Sequence, residues 1–383
     1  MISQIYIDNF KSLVEFKIKF AKFSCLVGLN GAGKSTVLQA IDFLAQLMHG
    51  EVDSWLNERG WDAADLNSKL SPRSNIDFKV NVSLDGKGDF VWSGSVNRKS
   101  LNCTSESVTL NGEQLLKVFE GDCTLRTEPN NATERFPVVF QYQGSILSQL
   151  KENQIRGPLV SLRDEMLNVH SLDLLSPAQL RLKTRTADGQ LGLGGQHLSA
   201  YLHELGKNKR EALTQQLANV YHQLVSIETK SLRSGWKQLG IRERFGNQFL
   251  STSATHINDG MLRLMAILSQ LSSNQRFLIF DEIENGINPE LVEFLVDTLV
   301  MSNHQVLVTT HSPMILNFMD DDVAREGVHY LYKTKKGFTR SIRLFDIPSI
   351  SKKLEFMGPG EAFIDTDLTK LYAEIADIQS TEA

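Results

Sequence analysis

Positions 28–35 read GLNGAGKS and fit G-x-x-x-x-G-K-[ST] at every fixed position. In that pattern the glycines let backbone N–H groups turn inward on phosphates. Lys34 brings a point charge to the β- and γ-phosphates, and the Ser35 hydroxyl can ligate Mg²⁺. Asp281 and Glu282 follow the apolar run 277–280, so they sit where open α/β sheets bind ligands, at the carboxyl end of a strand. Asp281 can hold Mg²⁺, directly or through water, and Glu282 can orient or deprotonate an attacking water. His311 closes the next apolar run, 305–310, and could hydrogen-bond a γ-phosphate or that water. Gln143 follows a strand expected over 136–142 and could reach the same metal. Thr309 and Thr310 read as ordinary strand residues.

These side chains need elements to carry them. The apolar run 23–27 reads as a buried strand, and Val37, Leu38, Ile41 and Leu44 recur at helical spacing. Strand, glycine loop and helix in succession place a positive helix end at the phosphates. Residues 5–7 and 16–20 read as two strands, and residues 51–75 have no clear pattern. From 76 to 120 the chain alternates, with a strong hairpin signal at Asn111 and Gly112, and is expected to form an antiparallel sheet. Residues 146–245 read as mostly helical, with loops at 188–195 and near Lys207 and Asn208. A helix is expected from Met261 to Leu271, a strand over 277–280, a helix over 289–299 and a strand over 305–310. Strand–helix–strand at this spacing implies parallel pairing by a right-handed crossover. Residues 328–345 suggest a hairpin of edge strands, and a tail helix is expected over 368–378.

The chain has 383 residues, 41% hydrophobic and 22% charged, ordinary values for a folded globular protein. Its net charge of −5 argues against a general polyanion binder, although residues 151–245 hold 14 Lys/Arg against 9 Asp/Glu. The three cysteines, Cys25, Cys103 and Cys123, have no metal-site spacing and suggest reduced thiols in a cytoplasmic protein. The first ten residues alternate like a strand rather than forming a signal peptide. No apolar run reaches membrane-spanning length.

The ordered set GLNGAGKS, YQGS, INDGMLR, FLIFDEIENGINPE and VLVTTHSP, with the opening IDNFKSL, resembles the nucleotide-binding domain of the ABC-type ATPases. It is similar to the branch that includes RecF, SMC-type proteins and the overcoming-lysogenization-defect (OLD) ATPases. More narrowly it resembles bacterial AAA-family ATPases with a DEPENGIHP motif. The similarity spans residues 2 to about 345.

The resemblance implies an α/β P-loop NTPase: an ABC-ATPase-like mixed sheet with an antiparallel β subdomain and an inserted helical lobe. The expected divisions are 1–145, 146–247, 248–345 and a tail at 346–383. It implies ATP and Mg²⁺ as cofactors. ATP would be held by Asn30, Gly31, Ala32, Gly33, Lys34, Ser35 and Thr36, and the metal by Ser35, Gln143 and Asp281. Glu282 would be the catalytic base, His311 the switch histidine, Gln143 the Q-loop glutamine and residues 284–288 the D-loop. Asn258, Asp259 and Gly260 stand where the family has its signature loop, which in relatives closes over ATP held by a second subunit. A homodimer or higher homo-oligomer is therefore expected, cytoplasmic and without a membrane partner. It would act on a separate nuclease or toxin effector in anti-phage defence or DNA maintenance. The alternatives are a RecF-like DNA clamp using Arg181, Lys183, Arg185, Lys207, Lys209 and Arg210, and, more weakly, a transporter ATPase subunit.

Two departures stand out. Asn258 replaces the signature serine, and only about a hundred residues separate Gln143 from Asn258, too few for a long coiled-coil arm. Asp365 and Asp367 offer a D-x-D pair, which reads better as the start of the tail helix, with Asp367 as its cap, than as a nuclease site.

Overall fold

The computed structural model describes residues 1–128, 132–173, 175–367, 371, 374 and 375. Among the described residues the strands form three sheets. The first is wholly antiparallel, in the order β2-β1-β4-β5-β6-β7-β8-β9. It comprises β1 (Ile2–Asp8), β2 (Phe16–Lys19), β4 (Asn75–Leu84), β5 (Gly88–Asn97), β6 (Asn102–Leu110), β7 (Glu113–Phe119), β8 (Asp122–Leu125) and β9 (Glu134–Pro137). Its alternation is direct: Ile76, Phe78, Val80, Val82 and Leu84 are all buried on one face of β4. The β6–β7 turn puts Asn111 at φ 50° and Gly112 at φ 86°, the paired positive angles of a hairpin turn that follows strand twist.

The second sheet has the order β10-β14-β15-β3-β16-β17. It comprises β10 (Val169–Leu172), β14 (Phe277–Phe280), β15 (Gln305–Thr309), β3 (Phe23–Val27), β16 (Val328–Lys333) and β17 (Thr339–Arg343). Every pairing is parallel except β16 with β17. Both faces are covered, which is why its strands read as unbroken apolar runs. Phe277, Ile279, Leu307 and Leu26 face one core, shared with helix α1 (Lys34–His49) and the antiparallel sheet. Leu278, Phe280, Val306, Val308, Cys25 and Val27 face the other, shared with the helices Asp259–Gln270 and Pro289–Val300.

Between Gln143 and the helix Asp259–Gln270 the chain departs from a mostly helical lobe. Short helices run to the helix Gly206–Ala218, which includes the expected loop at Lys207 and Asn208. Then β11 (Leu224–Ser231), β12 (Lys237–Phe245) and β13 (Gln248–Ser253) form a third, antiparallel sheet. Leu224 and Ile227, three residues apart across a register shift between Leu224 and Ser226, are both buried, and apolar residues at that spacing imitate a helix. β10, inside the same block, joins the parallel sheet beside β14. Two further expectations are corrected, and one stretch without a clear pattern gains an assignment. The strand over 136–142 is only Glu134–Pro137. The 51–75 stretch contains a helix, α2 (Val52–Arg59). The 328–345 hairpin has one interior strand, since β16 pairs with β3. The tail helix over 368–378 lies almost entirely outside the described residues, and Asp365 pairs with Lys353 at 3.1 Å.

Buried polar groups tie the layers together. Arg59 of α2 bonds Asp42 of α1 and, at 3.1 and 3.2 Å, Asp173 just past β10. His329 on β16 is 3% exposed; burial, and then the Arg343 charge, press its pKa down to about 4, against a backbone hydrogen bond to Lys19. In the unfolded chain its pKa is about 6.5. Protonation therefore favours the unfolded chain: this stability is fully present above about pH 6.5 and is lost as the pH falls toward 4. The unfolding free energy from urea titrations should decline over that window, and His329→Asn should flatten the slope. An unchanged slope in the variant would show that His329 does not carry it.

Candidate nucleotide site

The loop 28–33 leaves β3 and enters α1, and two of its glycines are forced by their surroundings. A Cβ on Gly28 (φ 149°) would lie 2.4 Å from the Leu331 carbonyl oxygen, and one on Gly33 (φ 108°) 2.4 Å from Thr339 Oγ1. Asn30 and Gly31 are exposed at the tip, Ala32 is buried and Thr36 is half-buried in the first turn of α1. Lys34 is 5% exposed; its Nζ donates to the Gly28 carbonyl at 2.9 Å and lies 3.5 Å from His311 Nδ1. Burial lowers the Lys34 pKa, opposed by the charges of Asp281, Glu282 and Glu284. Burial raises that of Asp281, opposed by hydrogen bonds from Thr309 and Ser35. A desolvated ammonium and a desolvated carboxyl thus share one pocket, each favouring a ligand of opposite charge.

The strand ends supply the rest. Glu282 Oε1 lies 3.0 Å from His311 Nε2, and Asn285 donates to Oε2 at 3.2 Å. Glu282 has φ 47°, a left-handed backbone that is uncommon outside glycine. Thr309, fully buried at the end of β15, holds it there. Its hydroxyl donates to Asp281 and accepts from the Glu282 N–H at 2.9 Å. Glu284 fixes the neighbouring turn: its Oε1 accepts from Thr310 Oγ1 at 3.0 Å, the His311 N–H at 2.7 Å and the Ser312 N–H at 3.2 Å. The structure therefore brings together Lys34, Ser35, Asp281, Glu282 and His311. Thr309 and Thr310 are not bland strand residues. They and Glu284 position the charged groups, and their value lies in cross-strand pairing, which a linear pattern does not display.

Gln143 and the signature positions lie elsewhere. The Gln143 amide donates to Asp53 of α2, and its Oε1 accepts from the Asp53 N–H at 3.0 Å. Its loop is fixed by Ser145 N–H donating to the Leu47 carbonyl at 2.7 Å, and by the buried Glu106 carboxylate. Glu106 accepts from Trp92 Nε1 at 2.7 Å, the Ile146 N–H at 2.9 Å and the Ser145 hydroxyl. Asn258 caps the helix Asp259–Gln270, its Oδ1 accepting from the Met261 N–H at 2.8 Å. Asn and Ser are near-equal helix caps, so the substitution keeps the local fold. Asp259 pairs with Arg181, and a Cβ on Gly260 would lie 2.8 Å from the Gly286 carbonyl oxygen. Asn258 and Asp259 are exposed, and among the described residues none of the three hydrogen-bonds to residues 28–36. Of the basic residues suggested for DNA, Arg181, Lys207, Lys209 and Arg210 are engaged within the chain, with Asp259, Glu211, the Ser272 carbonyl and the Leu202 and His203 carbonyls respectively.

Two family descriptions match different parts of the chain. A family described as "AAA ATPase domain" matches residues 1–127. One described as "AAA domain, putative AbiEii toxin, Type IV TA system" matches residues 182–317. An SMC head bound to the C-terminal winged-helix domain of ScpA superposes with TM-score 0.53 at 15% identity, over 90% of this chain and 99% of that one. An SMC head with an extended coiled coil from Pyrococcus furiosus, bound to the C-terminal domain of ScpA, gives 0.53 at 13% identity, over 92% and 99%. The fold is that of the SMC head domains, a P-loop NTPase fold. No curated protein matches the chain.

Within this ATPase fold the oxygen set fits Mg²⁺. Ser35 and Asp281 are hydrogen-bonded to one another, and among the described residues no group of three His, Cys, Asp or Glu could form an all-protein cage. Two hard oxygen donors, with phosphate and water completing the shell, suit an ion that keeps most of its waters. Thr309→Val would leave the Glu282 N–H and the Asp281 carboxyl without their shared hydroxyl, costing about 1–3 kcal/mol of stability. Denaturant titration should show that loss, and a variant as stable as wild type would mean that Thr309 does not hold the strained Glu282.

Proposed function

We propose that the chain binds and hydrolyses Mg-ATP and closes into a homodimer around it, each copy's Asn258–Gly260 loop meeting nucleotide held by the other. The observation that carries this reading is the division of the site. Lys34, Ser35, Asp281, Glu282 and His311 converge within one chain, whereas Asn258 and Asp259 sit exposed on its surface at a helix N-terminus. A helix N-terminus with free N–H groups is suited to phosphate.

In this reading the N–H groups of residues 30, 31 and 33–36 and the Lys34 ammonium bind the β- and γ-phosphates. Ser35 and Asp281 would hold Mg²⁺, which supplies charge neutralisation at the phosphates when bound. Glu282 takes the proton as the water oxygen attacks the γ-phosphorus. The bond to the bridging oxygen breaks, and its electron pair leaves with ADP. His311, bonded to Glu282, keeps that carboxylate aimed. Gln143, gripped by Asp53, would reach the metal only after that contact is released.

ATP then contributes contacts to two subunits, so binding favours the closed dimer and hydrolysis releases it. A separate effector protein would read the change. The support is by analogy: a matched family description names a toxin system, and both SMC heads are bound to a partner, ScpA. A role in anti-phage defence or DNA maintenance rests on the same analogy. No helix among the described residues is long and apolar enough to cross a membrane.

Light scattering on wild type and Glu282→Gln, with and without Mg-ATP, tests the switch. The expected result is a doubling of mass with Mg-ATP that persists in the Gln variant and decays in wild type as ATP is consumed. A mass unaffected by Mg-ATP in both proteins would contradict the ATP-gated dimer.

A further inference from the structure

Against the phosphate loop lies a polar cluster centred on Thr339 and Lys333, two residues that none of the family motifs contains. Thr339 opens β17 and is fully buried. Its hydroxyl lies 3.0 Å from the Ala32 carbonyl oxygen, 3.0 Å from Lys333 Nζ and 2.8 Å from Ser12 Oγ. A threonine hydroxyl has one proton and two lone pairs. The carbonyl can only accept and the ammonium can only donate. Thr339 must therefore give its proton to Ala32, which leaves one lone pair for Lys333 and one for Ser12 as donor. Every hydrogen-bonding capacity of that oxygen is used. The Thr339 backbone N–H is also anchored, to the Ser12 carbonyl at 2.9 Å.

The consequence falls on the loop. Ala32 C=O and Gly33 N–H belong to one planar trans peptide and point in opposite directions. Holding the carbonyl outward on Thr339 aims the Gly33 N–H the other way, away from Thr339. The Gly33 backbone lies directly on the same side chain, since a Cβ there would come within 2.4 Å of Thr339 Oγ1 and 3.0 Å of its Cγ2. The Ala32 N–H donates to the Leu29 carbonyl at 3.0 Å, which fixes the preceding turn. Lys333, its pKa lowered by burial, adds a cation at the carboxyl end of the strand next to β3. A charged donor polarises the hydroxyl and strengthens its bond to Ala32.

We propose that Thr339, charged from behind by Lys333 and held by Ser12, is a positioning residue that orients the Ala32–Gly33 peptide for phosphate binding before any nucleotide arrives. This rests on the reading of residues 28–35 as a nucleotide cradle. The hairpin β16–β17, from outside all the family motifs, thereby becomes part of the binding site.

The test is titration of a fluorescent ATP analogue with Mg²⁺ against wild type, Thr339→Val, Thr339→Ser, Lys333→Met and Lys34→Ala. Thr339→Val, equal in shape but without the hydroxyl, should weaken binding about tenfold. Thr339→Ser should stay within about twofold of wild type, and Lys333→Met should weaken binding about threefold. Each affinity is measured well below that variant's melting temperature, so a purely structural role would lower the melting temperature and leave affinity alone. If Thr339→Val does not fold, the Lys333→Met affinity decides, since Lys333 is half-exposed and its loss leaves the Thr339–Ala32 bond in place. Wild-type affinity in Thr339→Val, or in Lys333→Met where it must stand in, would overturn the proposal. Absence of binding by wild type, or no effect of Lys34→Ala, would instead overturn the nucleotide cradle, and the positioning role with it.

Discussion

The hydrogen bond from Thr309 to Asp281 ties the ends of two adjacent parallel strands, and the charged site is arranged around it. Without it, the adjacent carboxylates of Asp281 and Glu282, just past β14, would lose the hydroxyl that fixes their direction. With it, Asp281 is aimed toward Ser35, and Glu282 is held in a left-handed backbone that turns its carboxylate to His311. Glu284 repeats the device one step on, gathering three donors from the turn after β15. Strain at Glu282 is tolerated because the surrounding bonds over-determine it, a frequent condition at functional sites.

The site was legible where chemistry needs a contiguous string. Residues 28–35 must be a loop of fixed length between a strand and a helix, and Asp281, Glu282 and His311 each end an apolar run, so periodicity exposed them. What could not be read is pairing across strands. Thr309, Thr310 and Glu284 acquire their roles only once β14 lies beside β15, and Thr339 only once β16 lies beside β3. The chain from Phe249 reads as strand-like and forms β13, but β11 and β12 read as helical; on β11 the buried Leu224 and Ile227 lie three residues apart, a spacing that imitates a helix. Gln143 was placed correctly on a loop, yet α2 and its Asp53, which hold it, arise from a stretch without a clear pattern.

The Asn258 departure has a local explanation. The position is a helix cap whose side chain accepts the Met261 N–H, and asparagine serves there as well as serine. Gly260 is fixed by the close approach of the Gly286 carbonyl, which joins the start of that helix to the loop following Glu282. In the proposed dimer this contact would link a surface that meets one nucleotide to the carboxylates that act on another.

The most direct test of a site completed by a second copy is the ATP turnover per subunit as a function of protein concentration. It should be followed from dilutions where the nucleotide-free chain is monomeric. The account predicts a rate per subunit that rises with concentration and then levels off as dimers saturate. A rate per subunit that is constant from the monomeric range upward would show that one chain holds a complete site, and would contradict the shared one.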